Sequence, residues 1–149
     1  RRQRQMCIRD RGNTEMLKQL SIYAENKKGA LQTMTNALYE AGINIWGSVT
    51  NDGAEYGINR MVVSDPDKAK EVLTEKGYLC RFVDVLAVEI EDKPGALNTL
   101  LTALLDSNVN VDYTYLSFNR DSSTPVMILH TADPEEVEIC LRAKGFKMV

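Results

Sequence analysis

Residues 92–97 read Asp-Lys-Pro-Gly-Ala-Leu, and residues 26–31, 66 positions earlier, read Asn-Lys-Lys-Gly-Ala-Leu. Each stretch follows a segment in which apolar and polar residues alternate, and each opens a segment whose apolar residues recur every three or four positions. Alternation predicts a half-buried strand, and the longer period predicts an amphipathic helix. A duplicated strand–loop–helix unit indicates an internal repeat, and it points to a module that binds a small ligand.

The repeat extends along both halves of the chain. A further asparagine follows 18 residues after the first residue of each loop, at Asn44 and at Asn110. Asp-Pro at 65–66 and again at 133–134 predicts two further helix starts, because Asp accepts hydrogen bonds from free amides and Pro tolerates the first helical position. Gly42 predicts the end of the first helix. These signals together predict an α+β fold of two ferredoxin-like βαββαβ repeats, each with an antiparallel sheet and helices on one face.

The chain divides into two repeats of similar length. We predict the first repeat at residues 16–82 and the second at residues 83–149. Residues 1–15 are then an extraneous or disordered N-terminal segment, because its first eleven residues hold five arginines and one acid and resemble a translated sequencing adapter. A basic arm that binds nucleic acid is the alternative interpretation of this segment. No Gly/Pro-rich linker separates the repeats, so we expect them to share a continuous sheet or a common helical layer. The sequence leaves open whether the last strand of the first repeat is exchanged.

The composition excludes several classes of protein. A chain that is 44% apolar and 26% charged has the composition of a soluble globular protein. It contains no apolar run long enough to span a membrane, so we expect a cytoplasmic protein with no membrane partner. Beyond the arginine-rich start the chain is acidic, and an acidic surface argues against a nucleic-acid partner.

The chain offers few residues for catalysis or metal binding. It has three cysteines without short spacing and a single histidine, His130. This inventory supports neither a disulfide framework nor a zinc site, and it provides no base or nucleophile constellation. We therefore predict no catalytic residue, no metal and no cofactor. Cys80 and Cys140 are predicted to be packed thiols, and His130 is predicted to be packed or exposed at a sheet edge.

The two loops have features that suit a carboxylate ligand. Gly29 and Gly95 would let the backbone approach a ligand closely. The first amides of a helix lack intrahelical partners, and together with the positive end of the helix dipole they favour an anion. These amides belong to Ala30, Leu31, Ala96 and Leu97. The alternative interpretation is that each loop is simply a favourable helix start.

The asparagines have side chains suited to a ligand that carries both charges of a free amino acid. Asn44 and Asn110 can each donate and accept hydrogen bonds at once. The alternative is structural: Asn44 and Asn110 would stabilise their own turns, and Asn26 and Asp92 would cap the helices that follow them.

Taken together, these residues resemble the ACT domain, the regulatory module that binds amino acids in many metabolic enzymes. The resemblance rests on both Asn/Asp-Lys-Lys/Pro-Gly-Ala-Leu loops and on the asparagine before the second strand in each copy, and it covers residues 16–149 as a freestanding tandem pair. It implies a non-enzymatic amino-acid sensor whose ligand lies at the interface between paired modules. The implied ligand-binding residues lie in the two loops and the two turns: Asn26, Lys28, Gly29, Ala30, Leu31, Asn44, Ile45, Asp92, Pro94, Gly95, Ala96, Leu97, Asn110 and Val111.

The resemblance also implies differences between the two copies. Asn26 and Asp92 would contact the ammonium group or a polar side chain of the ligand. Only Asp92 is charged, and Lys28 stands where the family more often has proline, as the second copy has at Pro94. We therefore expect unequal occupancy of the two sites, with Asp92 and Asn110 forming the better one.

The sequence also supports expectations about the protein's binding partners and about alternative functions. The resemblance implies a free amino acid as ligand, a homodimer, and a metabolic enzyme as a further partner. The main alternative is a structural or interaction subunit whose duplicated sheet docks a partner without any ligand, and a small enzyme of the ferredoxin-like class is a third reading. Trp46, which aligns with Asp112, is predicted to lie in the core, in a subunit interface or in the pocket for the ligand's side chain.

Overall fold

The computed structural model describes residues 16–51 and 56–149. The predicted extraneous segment at residues 1–15 lies outside these ranges. The sequence Asn51-Asp52-Gly53 predicts a tight hairpin turn, and residues 52 and 53 of it also lie outside them. The first repeat contains β1 (Leu17–Glu25), α1 (Ala30–Glu40), β2 (Ile45–Asn51), β3 (Tyr56–Val63) and α2 (Pro66–Glu75). The second contains α3 (Ala96–Asp106), β5 (Val111–Phe118), β6 (Pro125–Thr131), α4 (Pro134–Ala143) and β7 (Lys147–Met148). The strand β4 (Leu79–Glu89) lies between them. The predicted α+β fold of two antiparallel βαββαβ repeats is confirmed.

The strand β4 serves both repeats. Its residues 79–85 pair antiparallel with β1, while its residues 86–89 pair with β6, and the last two of these also pair with β7. The result is one seven-stranded sheet in the order β2-β3-β1-β4-β6-β5, with β7 on β4. The expected continuous sheet is therefore present, and β4 runs without a break through the predicted boundary between residues 82 and 83. Because residues 79–85 pair within their own repeat, the last strand of the first repeat is not exchanged.

The sheet folds over so that the same face of its two halves meets, and the helices lie outside. One apolar core lies between the first half-sheet and α1 and α2, and a second lies between the other half-sheet and α3 and α4. A third core lies between the two half-sheets and contains the buried residues Val62, Val85, Ala87, Tyr115, Val126 and Ile128. The molecule is therefore a four-layer stack of helices, sheet, sheet and helices.

The strand registers show how closely the repeats correspond. The pairing of β2 with β3 shifts between Ile45 and Gly47, and the pairing of β5 with β6 shifts at the corresponding place, between Val111 and Tyr113. Such a shift marks a β-bulge, in which one extra residue is left out of the ladder and its side chain is redirected. The extra residue is Trp46 in the first repeat and its aligned residue in the second.

Trp46 packs in the core between the two half-sheets, so the first of its three predicted environments is the observed one. Its backbone carbonyl accepts a 2.7 Å hydrogen bond from Ser117 Oγ of the other repeat. The guanidinium of Arg120 lies 4.9 Å from the centre of the indole ring, within the range of a cation–π contact. The side chain therefore joins the two repeats within one chain.

The helix ends agree with the sequence prediction at two residues and differ from it at one. Gly42 has the left-handed φ of 75° that favours glycine after a helix. Asp65 Oδ1 accepts a 3.2 Å hydrogen bond from the amide of Lys68, as predicted for a cap. Asp133 makes no such side-chain bond, so the prediction that it repeats the role of Asp65 was wrong. Its backbone is itself left-handed (φ 51°), whereas a capping side chain normally needs an extended backbone.

A buried polar network joins the half-sheets. Gln19 is fully buried, and its amide nitrogen donates to Ser21 Oγ at 3.1 Å and to the hydroxyl of Tyr113 at 2.9 Å. The hydroxyl of Tyr115 donates to the side-chain oxygen of Gln19 at 2.8 Å. The network spans 94 and 96 residues of sequence, so it forms only when the two repeats are correctly packed. Burial also raises the pKa of Tyr115 above its ordinary value, which keeps this hydroxyl protonated as a donor.

Tyr115→Phe should lower the free energy of unfolding by about 1–2 kcal/mol, because it leaves the buried oxygen of Gln19 without a donor. The measurement is urea denaturation followed by far-UV circular dichroism. Tyr39→Phe is the matched control, since Tyr39 is 78% exposed and should tolerate the same change. Equal stability of the two variants would contradict a role for the network in joining the repeats.

Candidate functional site

The two predicted loops lie where a strand ends and a helix begins. Residues 26–29 connect β1 to α1, and residues 90–95 connect β4 to α3. Gly29 and Gly95 are the N-caps of these helices, with φ of 83° and 89°. A β-carbon would meet no atom within 4 Å at either position, so the backbone conformation, not crowding, is what requires glycine here. Lys28 and Pro94 are exposed beside these glycines.

The amides at the helix starts are only partly free. The amide of Ala30 donates to the carbonyl of Lys27 at 3.1 Å, and the amide of Ala96 donates to the carbonyl of Lys93 at 3.2 Å. The prediction that these two amides are unpaired was wrong, because the loop closes a turn on itself just before each helix. The following amides of the first turn, including those of Leu31 and Leu97, have no intrahelical partner.

The second predicted asparagine of each repeat lies at the other end of the helix. Asn26 precedes α1 and Asn44 follows it, and an eleven-residue helix is about 16 Å long. Asn44 is tied to the far end of β3, where its amide donates to Ser64 Oγ at 2.9 Å and its carbonyl accepts from the amide of Ser64 at 2.9 Å. Asp92 and Asn110 are separated by α3 in the same way. One repeat therefore does not bring its own loop and its own second asparagine onto a single small ligand.

A cavity of about 170 Å³ lies beside the loop of the first repeat, and we call it the loop cavity. Three of the predicted residues line it: Asn26, Ala30 and Leu31. The buried side chain of Met34 adds to its apolar wall. Two polar residues of the sheet, Thr50 and Asn59, also line it. The cavity thus combines an apolar wall with a small number of polar groups, as small-molecule sites usually do.

Asn59 and Thr50 are functional candidates that the sequence did not reveal. Asn59 is only 2% exposed; its amide nitrogen donates to Thr50 Oγ1 at 2.7 Å, and its side-chain oxygen accepts from Ser48 Oγ at 3.4 Å. Residues 50 and 59 face each other because β2 and β3 pair in this register. The available signal was an asparagine on the same strand face as the apolar residues Met61 and Val63, since a buried amide needs polar partners.

A second, larger cavity of about 710 Å³ lies on the other side of the same loop. Its lining includes the side chains of Lys27, Lys28 and Lys76 together with Glu25. Lys27 forms a 3.1 Å ion pair with Glu25, and both side chains are largely exposed, so the pair adds little stability. The loop of the first repeat therefore borders a partly apolar cavity on the β3 side, which Glu25 and Lys27 also line, and a more basic one on the α2 side.

The corresponding position in the second repeat has different chemistry. The registers align Thr50 with Leu116 and Asn59 with Met127. Leu116 is 51% exposed and Met127 is buried, and neither offers a hydrogen-bonding group. The sequence predicted the better site at Asp92 and Asn110, whereas in the described residues the polar lining belongs to the first repeat.

Asn110 lies at a separate cavity of about 460 Å³ at the opposite end of α3 from Asp92. Its side-chain amide donates to Asp112 Oδ1 at 3.2 Å, and Asp112 Oδ2 lies 2.8 Å from His130 Nδ1. His130 also stacks on Tyr113 with ring centres 4.9 Å apart, which agrees with its prediction as a packed or edge residue. The lining carries three carboxylates, those of Asp112, Asp133 and Glu136, so this cavity does not suit an anion.

Four other predictions can be placed. Ile45 packs against the core of the first repeat and Val111 against that of the second, so both side chains serve packing at the strand starts. Cys80 is buried as predicted, and burial raises the pKa of its thiol above the ordinary value. Cys140, also predicted to be a packed thiol, is only half-buried, and its Sγ lies 3.1 Å from Ser107 Oγ.

Within residues 16–51 and 56–149, no group of three or more His, Cys, Asp or Glu side chains is placed to hold a metal ion. In the same ranges, no helix is both long enough and apolar enough to cross a membrane.

The fold and its loops define a class of protein: a tandem of two ferredoxin-like modules with glycine-capped helix starts. The sequence model of the ACT domain pair matches residues 15–148, and the chain therefore belongs to this family of regulatory modules. The predicted resemblance is confirmed. No curated protein matches the chain.

Solved structures show similarity over most of the chain. A protein from Bacteroides thetaiotaomicron is 30% identical with a TM-score of 0.83, and the match covers 90% of this chain and 92% of that one. The ligand-free regulatory subunit of aspartate kinase from Thermus thermophilus is 17% identical with a TM-score of 0.63, over 85% and 89% of the two chains. The regulatory subunit from Thermus flavus is 20% identical with a TM-score of 0.57, over 85% and 90%. The two kinase subunits share the fold.

Proposed function

We propose that this ACT domain pair is a regulatory protein that binds a free amino acid in the loop cavity of the first repeat. The observation that carries the proposal is the lining of that cavity, where Asn26, Thr50 and Asn59 meet the apolar side chains of Leu31 and Met34. At about 170 Å³ it is smaller than the roughly 300–1,000 Å³ typical of drug-sized ligands, so it suits a smaller molecule.

Each part of an amino acid has a matching group at this site. A carboxylate is favoured by the free amides of the first turn of α1, such as that of Leu31, and by the helix dipole. An ammonium group can donate hydrogen bonds to the side-chain oxygen of Asn26 or of Asn59, since the oxygen of an amide side chain is an acceptor. The ligand's side chain would lie against Leu31 and Met34. This apolar wall favours an amino acid with an uncharged side chain.

Asn44 and Asn110 join a ligand site only if another module brings them there. Each lies about one helix length from the loop of its own repeat, so a second module must place its asparagine beside that loop. We propose that this happens in a homodimer, which keeps the ligand at an interface between paired modules. A metabolic enzyme that responds to the ligand is the proposed further partner.

We propose that the ACT domain pair regulates another protein and does not itself catalyse a reaction. The described residues place His130 in contact with Asp112 and Tyr113, at the opposite end of α3 from the Asp92 loop and away from the loop cavity. The alternative of a subunit that docks a partner on its duplicated sheet has little surface to use, since one sheet face packs against helices and the other against the second half-sheet. A docked partner would have to use the helices or the sheet edges.

A thermal-shift screen of the free amino acids tests the proposal. A ligand present at 100 times its dissociation constant should stabilise the protein by about 2.7 kcal/mol. Asn26→Ala should abolish the shift, because it removes a polar group from the loop cavity. Asp92→Ala, the corresponding change in the second repeat, should leave the shift in place.

Two results would count against the proposed function. A wild-type protein that responds to none of the amino acids would remove the basis for a sensor. A shift that is lost in Asp92→Ala and kept in Asn26→Ala would move the ligand to the second repeat.

A further inference from the structure

The loop cavity contains a buried amide that the fold itself does not require. Asn59 lines the cavity and is 2% exposed. The strand registers align it with Met127 of the second repeat, which is also buried and packs in the apolar core of that repeat. A buried amide is unfavourable unless hydrogen bonds satisfy it, whereas a buried methionine needs none. The first repeat therefore has a polar group at a place where the same fold accepts an apolar one.

The hydrogen bond between Asn59 and Thr50 leaves Thr50 with a free proton. The side-chain nitrogen of Asn59 donates to Thr50 Oγ1 at 2.7 Å. An amide nitrogen only donates, so the hydroxyl oxygen of Thr50 is the acceptor and its own proton points elsewhere. No group in the described residues accepts that proton. Because Thr50 lines the loop cavity, its hydroxyl can donate to an acceptor on a bound ligand.

The side-chain oxygen of Asn59 is an acceptor with spare capacity. It accepts one hydrogen bond, from Ser48 Oγ at 3.4 Å, which is longer than the roughly 2.5–3.0 Å of a good O–H···O bond. A carbonyl oxygen has two lone pairs, so a second donor can bind here. Thr50 and Asn59 lie opposite each other on β2 and β3. The sheet side of the cavity thus presents a donor and an acceptor next to each other.

The loop side of the cavity has different chemistry. Asn26 and the start of α1 line it there, and the proposed function places the ammonium and carboxylate groups of the ligand at these residues. The side chain of such a ligand would then extend toward the strands. Two charged residues, Glu25 and Lys27, also line the cavity, but they form an ion pair with each other at 3.1 Å. An ionised ligand side chain would therefore find no unpaired countercharge among the described residues that line the cavity.

We propose that the ligand of the loop cavity is an amino acid whose side chain ends in a neutral group that both donates and accepts hydrogen bonds, namely a carboxamide or a hydroxyl. The inference rests on the proposed function. The ligand's acceptor receives the proton of Thr50, and its donor binds the side-chain oxygen of Asn59. An apolar side chain leaves both protein groups without partners, and a carboxylate places its negative oxygen against the oxygen of Asn59.

Isothermal titration calorimetry with ligands of matched shape tests this assignment. Threonine and valine differ by a hydroxyl against a methyl group, and asparagine differs in the same way from aspartate and leucine by the end of its side chain. The polar neutral member of one of these sets should bind at least ~10-fold more tightly than its matched ligands, because a site that hydrogen-bonds a polar group discriminates against analogues that lack it. The set that shows the preference identifies the group as a hydroxyl or a carboxamide.

Substitutions at Thr50 test the donor. Thr50→Val preserves the shape of the side chain and removes the hydroxyl, so the polar ligand and its apolar match should then differ in affinity by less than ~3-fold. Thr50→Ser retains the hydroxyl and should retain the preference. The control is Thr102→Val, the same change at an exposed threonine of α3 in the second repeat, and it should leave the preference unchanged.

Asn59→Met tests the acceptor with the residue that the second repeat has at the aligned position. A purely structural role of Asn59 would weaken all ligands equally and leave the ratio of their affinities unchanged. The proposal instead requires the ratio of the polar ligand to its apolar match to fall below ~3-fold. If Asn59→Met does not fold, Thr50→Val still decides the question, since Thr50 is exposed at the sheet surface.

The possible failures of this inference and of the proposed function are distinguishable. A wild-type protein that binds valine or leucine as tightly as the matched polar ligand, or that binds a charged amino acid most tightly, would overturn the inference and leave amino-acid binding in place. A preference that persists in Thr50→Val would also overturn it. A protein that binds no amino acid would overturn both.

Discussion

Leu38→Ala should lower the free energy of unfolding by about 2–5 kcal/mol, the largest effect we expect from a single truncation in this chain. Leu38 is fully buried in the core beneath α1, so shortening it removes apolar contacts and leaves a cavity. Chemical denaturation monitored by circular dichroism gives the value directly. The period of the helix explains this effect, because it directs the side chain of Leu38 toward the sheet and that of Tyr39 away from it.

Tyr39→Ala is the matched control for that prediction. Tyr39 is adjacent in sequence but 78% exposed, so its truncation should change the free energy of unfolding by about 0.5 kcal/mol or less. Comparable losses for the two variants would mean that α1 does not present the face to the core that the structure shows.

Gly47→Val should destabilise the protein by about 2–3 kcal/mol and disturb the packing of the two half-sheets. A β-carbon at residue 47 would lie 3.1 Å from Cβ of Ser117 and 3.5 Å from the carbonyl oxygen of Leu116. This contact is tighter than nearly all contacts of real β-carbons, so Ser117 or the strand that carries it must give way by a few tenths of an ångström, and the branched side chain of valine adds to the crowding between β2 and β5. The neighbouring Trp46 is the single tryptophan of the chain, and its fluorescence should shift to longer wavelength as water reaches the interface.

A double-mutant cycle checks the cause of that loss. Ser117→Gly removes the side chain that the new valine would meet, so Gly47→Val should cost less in its presence than in the wild type. Ser117→Gly also removes the hydrogen bond to the carbonyl of Trp46, and the cycle separates that effect from the steric one. Strict additivity of the two changes would show that the contact between residues 47 and 117 does not limit how closely the half-sheets pack.

The elements of the fold could be predicted because their signals are local. The helix starts at Gly29 and Gly95 and the helix end at Gly42 depend on the backbone preferences of a few consecutive residues. Asp133 was the exception. Its Asp-Pro pair matches residues 65–66, but a left-handed backbone at Asp133 leaves its carboxylate without the capping bond. The conformation of that one residue depends on how β6 leads into α4, which sequence matching does not reveal.

The packing of the two repeats could not be predicted, because it depends on distant residues. Gln19 lies in a strand, and its polar side chain would be predicted from the sequence alone to face solvent. It is fully buried, because hydroxyl groups from Tyr113 and Tyr115 reach it across the interface. A polar side chain becomes acceptable in a core only where partners meet it, and those partners are more than 90 residues away.

Only part of the candidate site could be predicted, because some of its residues are brought together by strand pairing. The loop at residues 26–31 was found from its duplicated sequence. Thr50 and Asn59 were missed because they meet only through the register of β2 against β3. The chemistry that distinguishes the two copies therefore comes from strand pairing, while the similarity between them comes from the loops.

The shared strand β4 fixes how the two repeats can be joined. Successive residues of a strand point to opposite faces, so Val85 lies between the half-sheets while Leu86 lies under the helices of the second repeat. Inserting or deleting one residue within β4 would turn every later side chain of the strand to the wrong face. The length of β4 between the two repeats can therefore change only by an even number of residues. A flexible linker between the repeats would not impose this restriction.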